Sequence, residues 1–139
     1  MITRENWDFS LLDDPSQERI LFRAKFVRHG IRRPLQGPPQ HTILLHAIES
    51  VEGRFDVLFD HAWVRVRDKE SFVALEPGDT VWFRAYFDLY QAYKRPAVLS
   101  ARARVRYEQN RAKQPFRLGL HSAELVRFES LAQALFQRA

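Results

Sequence analysis

Arg102, Arg104 and Arg106 recur at every second position of AVLSARARVRYE, residues 97–108, with Ala101, Ala103 and Val105 between them. In an extended chain that spacing puts three guanidinium groups on one edge. Each is a planar fork suited to phosphate. Like charges so close together repel and call for a counter-charge. A polyanion would supply it, and so would acidic side chains on a neighbouring strand. Further cations gather in Arg32 and Arg33, in Arg65 and Arg67, and in Lys94 and Arg95. Flat side chains interleave with them: Trp63, Tyr90 and Tyr93, with His46 and His61 as auxiliary platforms. Cations displace the counterions of phosphates, while unpaired bases need a planar surface to stack on. The combination points to single-stranded DNA or RNA. Arg32, Arg33, Arg65, Arg67, Lys94, Arg95, Arg102, Arg104 and Arg106 would hold the backbone, and Trp63, Tyr90 and Tyr93 would stack bases.

Catalytic chemistry finds little support. Asp56, Asp60 and His61 can be drawn as a metal cluster, but no further ligand falls at a recognised spacing. The five histidines are scattered, and no phosphate-cradling glycine loop, dinucleotide fingerprint or GxSxG turn is present. With no cysteine, disulfides, thiolate zinc sites and thiol catalysis are excluded. The expectation is a non-catalytic chain with no metal and no cofactor.

A chain of 139 residues, 45% of them hydrophobic and 11 of them Phe, has room for one real core. The net charge is +5 and the pI about 10.0. The charge is uneven: residues 1–18 hold Glu5, Asp8, Asp13, Asp14 and Glu18 against Arg4 alone. Of the 22 basic residues only Lys25, Lys69, Lys94 and Lys113 are lysine. No apolar run approaches the roughly 20 residues of a membrane helix. MITRENWDF lacks the apolar stretch of a secretory signal, so a cytoplasmic location without membrane association is expected.

The elements that must position these residues are mostly strands, because the apolar periodicity is mostly two. Strand one is expected from Ile20 to Arg28, and the proline-rich GIRRPLQGPPQ then interrupts it. Thr42 to Glu49 is strand two and Phe55 to Arg67 strand three. In strand three Phe55, Val57 and Phe59 alternate as a core face, and Ala62, Val64 and Val66 continue on the opposite parity. An extra residue near Asp60-His61 would reconcile the two as a β-bulge and turn His61, Trp63, Arg65 and Arg67 outward. Without it, Trp63 is a core residue. KESFVAL suits a turn of helix, and Thr80 to Tyr90 is strand four, with Trp82, Arg84 and Tyr86 outward. ARARVR is expected as strand five. A closing helix is expected over Ala123 to Arg138, with Ser122 as N-cap and Leu125, Phe128, Leu131 or Ala132, and Leu135 as its apolar stripe.

Five strands, a long first connection, a short helix before strand four, and LEPGD (Leu75 to Asp79) leading into TVWFRAYFD together resemble an OB-fold, the small Greek-key barrel. The resemblance covers about Ile20 to Tyr107 and is one of strand order and pattern. It implies a five-stranded OB-like Greek-key barrel over 19–108; with the acidic segment over 1–18, the basic linker over 109–121 and the C-terminal α-helix over 122–139 read from the residues, a mainly β chain is expected. It also implies oligonucleotide binding across strands two and three, flanked by the first–second and fourth–fifth loops. Those loops are Gly30 to Gln40 and Gln91 to Pro96, and strand five would set Arg102, Arg104 and Arg106 beside Arg65 and Arg67. The competing expectation is a protein-interaction subunit. Its arginine face would meet an acidic partner, or it would self-associate through Trp82, Tyr86 or the C-terminal helix. NWDFSLLDDPSQ reads as a strap laying Trp7, Phe9 and Leu11 on the barrel, or as a segment masking its basic face.

Overall fold

Alternation in the first two thirds of the chain becomes four antiparallel strands in the computed structural model. A fifth forms from a segment without that alternation. The structure describes residues 1–4, 6–7, 18–51, 55–91, 102, 105 and 116–137. In chain order the elements are β1 (Ile20–Arg32), β2 (Gln40–Ser50), β3 (Leu58–Arg65), α1 (Lys69–Phe72), β4 (Thr80–Gln91), β5 (Phe116–Glu129) and α2 (Leu131–Gln137). The strands form one antiparallel sheet of order β3-β2-β1-β4-β5. At one point its two edges meet. Val66, just past β3, bridges Ala123 of β5 in parallel, and the Arg67 N–H donates to the Ala123 carbonyl at 2.9 Å.

One face of every strand supplies the core. Phe22 and Phe26 from β1, Ile43, Leu45 and Ile48 from β2, Phe59 and Val64 from β3, Val81 and Phe83 from β4, and Leu118 from β5 are fully buried. Phe72 of α1 joins them, and the Phe22 and Phe83 rings stack 5.5 Å apart. Each such side chain stabilises the fold by about 1.5–3 kcal/mol.

The parity switch in β3 is present, but its cause is more interesting than a single bulge. Phe59 and Ala62 are buried, with Asp60 and His61 both exposed between them. The register with β2 nevertheless runs unbroken through this point, from Glu49↔Leu58 to Thr42↔Arg65. β2 makes the same switch opposite, at His46 and Ala47, where Ala47 takes φ 51. The bulge appears instead against β1, whose register shifts between Arg23 and Lys25 and again between Phe26 and Arg28. The outcome for Trp63 is the outward one.

LEPGD acts as a structural clasp. Gly78 turns the chain at φ 93 and donates its N–H to the Phe26 carbonyl at 2.9 Å. The carboxylate of Asp79, only 3% exposed, accepts the Glu76 N–H at 2.9 Å and the Leu131 N–H at 3.2 Å. It thereby ties the β4 entrance to the start of α2. Ser130 caps that helix: its hydroxyl accepts the Gln133 N–H at 3.0 Å, and the Gln133 side chain reaches back to the Ser130 N–H.

The C-terminal third corrects the sequence expectation. The fifth strand is Phe116–Glu129, not ARARVR, and it replaces both the end of the expected linker and the first half of the expected helix. Arg102 and Val105 are helical. Helix follows only over Leu131–Gln137, and Ser122 is no cap but a strand residue at φ 53. There β5 carries an extra residue against β4, and it carries a second at Val126, between the pairs Trp82–Arg127 and Phe83–Leu125. Two such irregularities erase a period-two signal.

At the other end, Ile2 bridges Val57, its N–H donating to Asp56 O and its carbonyl accepting the Leu58 N–H. Trp7 packs against the core, as a strap would, while Phe9 and Leu11 lie outside the described residues. Among the described residues no helix is long and apolar enough to cross a membrane.

Candidate nucleic-acid interface

The outward face of β1, β2 and β3 carries three cross-strand rows. Lys25, His46 and His61 form the first, with all three exposed. Arg28, Leu44 and Trp63 form the second, and Gly30, Thr42 and Arg65 the third. β1 runs on to Arg32, four residues past its expected end, so Gly30 belongs to the sheet and not to the loop. Arg32 ends the strand and Arg33 follows it, both exposed.

Trp63 is the centre of this face. It is 44% exposed, and the six-membered ring of its indole lies on the Cα of Gly30. A Cβ at Gly30 would sit 2.5 Å from Cζ3 and 2.9 Å from Cη2 of the indole. Only glycine leaves that space. Thr42, buried to 6% exposure on an outward row, packs at the same spot, its Oγ1 lying 3.1 Å from that Cβ position. The Arg28 guanidinium lies over the indole, 5.2 Å from its centroid. A flat ring held in place, exposed and flanked by a cation, offers a base both stacking and cation–π contact.

Arg65 and Arg67 are placed outward as expected, but their neighbours differ from expectation. Arg65 Nη2 donates to Asp88 of β4 at 3.1 Å, and Arg67 Nη1 to Glu124 of β5 at 3.0 Å. Glu124 also pairs with Arg19 at 3.4 Å. These partners come from β4 and β5, because the end of β3 meets β5 at the Val66–Ala123 bridge and β4 pairs with β5. The acidic ladder weighed against the polyanion for the arginine row therefore exists at these two arginines. The pairs are part-exposed and each is worth about 0–1 kcal/mol, so a polyanion can compete for them.

Of the rail expected from Arg102, Arg104 and Arg106 beside Arg65, the structure describes Arg102 alone, and it is not in a strand. Arg102 is helical and exposed, and Arg104 and Arg106 lie outside the described residues. Tyr93, Lys94 and Arg95 lie outside them too, and of Tyr90 only the backbone, at the end of β4, is described. Trp82 and Tyr86 are outward but covered. The Arg127 guanidinium lies 3.6 Å from the Trp82 ring centroid, and Arg19 lies 4.7 Å from that of Tyr86. Two arginines therefore lie over the aromatic pair that was expected as a contact for a second copy.

Sequence reasoning missed Arg28, Gly30 and Lys25 as members of the face. A signal existed for the first: once Trp63 faces outward, the residue paired across β2 from it must share its side. At the far edge of the face two histidines meet, His29 Nδ1 and His41 Nε2 lying 3.1 Å apart. Burial lowers the pKa of His41, and the neighbouring His29 and Lys69 lower it further. Among the described residues no group of three or more His, Asp or Glu is arranged to hold a metal. No family model, curated protein or solved structure matches this chain.

Proposed function

We propose that the chain is a non-catalytic, single-stranded nucleic-acid-binding protein of low sequence specificity, built as an OB-like Greek-key barrel. Three features support the barrel: the strand order, the helix between β3 and β4, and the parallel bridge between Val66 and Ala123. In such a barrel the outward face of strands two and three is the usual oligonucleotide surface. The observation that carries the binding reading is the Trp63 indole, seated on Gly30 beside Arg28 in the middle of that face.

In this reading a base stacks on Trp63, contributing about 1–3 kcal/mol. Lys25, Arg28, Arg32, Arg33 and Arg65 meet the phosphates on either side, and His46 and His61 extend the floor. Stacking and charge neutralisation are common to all bases, which accounts for the low specificity. The absence of cysteine from the sequence fits a cytoplasmic setting. The variant Arg28→Glu with Arg32→Glu tests the reading by fluorescence anisotropy on a labelled single strand. Affinity should fall more than tenfold with the melting temperature unchanged, and unaltered affinity would refute the assignment.

A second reading has its own observation. Val126 and Phe128 at the end of β5, and Leu131 and Leu135 of α2, are exposed large apolar side chains close together in the chain. They favour a protein-interaction role through the C-terminal helix. Sedimentation of Leu131→Glu with Leu135→Glu separates the two: a change in mass with nucleic-acid binding intact supports this second reading.

A further inference from the structure

Where β3 ends, the surface opens into a groove of about 420 Å³. Its walls are Pro39, Gln40 and His41 at the start of β2, Arg65 to Arg67, Lys69, and His121 with Ser122 on β5. Among the described residues three cations line it and no carboxylate does. Asp88 and Glu124 pair with two of them, each taking one N–H from Arg65 or Arg67 and so fixing the direction of the guanidinium. An arginine has five such donors, so most remain for another acceptor.

The walls are held in place. The Val66 N–H donates to the His41 carbonyl at 3.2 Å, and the Arg67 N–H to Ala123. Ser122 takes φ 53 at the β5 irregularity, a conformation costly for a residue with a Cβ and often found where strain serves a site. Gln40 carries a buried Oε1 that has no hydrogen-bond partner among the described residues. Burial also lowers the pKa of both His41 and His121, so near neutral pH their rings present an acceptor as well as a donor.

We infer that this groove binds a phosphate monoester, with Arg65, Arg67 and Lys69 holding the phosphate. A monoester carries about −1.5 to −2 charges near neutral pH, which suits three converging cations better than the single charge of a diester. Two sources share this chemistry: the phosphorylated end of a strand and a free mononucleotide. Arg65 belongs both to the groove and to the Trp63 face, so a strand on that face reaches the groove with its end. The strand-end form rests on the proposed function, while the mononucleotide form does not.

The test compares 5′-phosphorylated, 3′-phosphorylated and hydroxyl-ended single strands by anisotropy, and measures the melting temperature with adenosine monophosphate or inorganic phosphate. Wild-type protein and Lys69→Glu are compared, with Lys69→Arg as the conservative control. Lys69 opens α1, where an acidic residue suits the helix terminus, so the reversal leaves the fold intact. The expected result is at least fivefold tighter binding of one phosphorylated strand, lost in Lys69→Glu and kept in Lys69→Arg. If no strand binds but either small phosphate raises the wild-type melting temperature and not that of Lys69→Glu, the groove stands with a free monoester and strand binding fails. If all strands bind equally and neither small phosphate shifts melting, the groove inference is overturned and strand binding stands. A preference unaffected by Lys69→Glu overturns the groove as well, and no binding of any kind overturns both.

Discussion

Replacing Gly30 with alanine is the smallest change that should disable the Trp63 platform. The new Cβ would lie 2.5 Å from indole Cζ3, where ordinary contact begins at 3.4 Å, so the ring must retreat by about 1 Å or swing away. The φ of Gly30 is not in the left-handed region, so alanine is acceptable to the backbone and stabilises a strand by about 0.5–1 kcal/mol over glycine. Trp63 is nearly half exposed and its displacement opens no core cavity, so the loss of its packing on Gly30 and Thr42 is of similar size. Net stability should change by less than about 1 kcal/mol. Binding should not be so tolerant. Loss of one stacked base costs about 1–3 kcal/mol, or roughly 5- to 150-fold in affinity. Urea unfolding, acrylamide quenching of tryptophan in a Trp7→Phe, Trp82→Phe background, and anisotropy on a labelled single strand measure the three parts. If quenching of Trp63 and strand affinity are both unchanged in Gly30→Ala, the indole does not rest where the reasoning needs it.

Other outcomes follow from the same geometry. Asp79→Ala strands the Glu76 and Leu131 amides and should destabilise by about 3 kcal/mol in urea unfolding, with α2 loosened. A double-mutant cycle on Arg65 and Asp88 should give a coupling of about 0.2–1 kcal/mol that fades in high salt. His41 has a lowered folded pKa, chiefly from burial, so the unfolded chain binds more protons than the folded one below about 6.5. Stability should therefore fall as pH drops through 6.5 and level off below the folded pKa. The urea midpoint of His41→Asn should lose less between pH 7 and pH 5 than that of the wild type.

β1 and β4 were legible because their faces alternate cleanly, with Phe22, Ala24 and Phe26 buried on β1 and Val81, Phe83 and Ala85 on β4, and β2 and β3 because each alternates on either side of one parity switch. The outward Trp63 was legible for a related reason: two arginines on its parity could not enter a core. β5 was not legible. Its buried residues fall at 118, 120 and 123, with Leu125 packed behind them, and the extra residue near Ser122 breaks the alternation. Leu125, Phe128, Leu131 and Leu135 then sit at helical spacing although the first two are in a strand and the last two in α2. ARARVR, meanwhile, alternates on charge and alanine, neither of which requires a sheet. At the site, cations and aromatics could be nominated from their types, but Gly30 gains its meaning only from the ring above it. The acidic partners of Arg65 and Arg67 depended on knowing that the end of β3 meets β5 at the Val66–Ala123 bridge.

The most direct test of strand binding is a salt series on the wild-type protein with matched single-stranded DNA, duplex DNA and single-stranded RNA. Saturable binding to single strands, weaker binding to duplex, and a log–log slope deepening by about −0.7 for each phosphate neutralised are the predicted result. No saturable binding to any single strand at low salt would contradict the account.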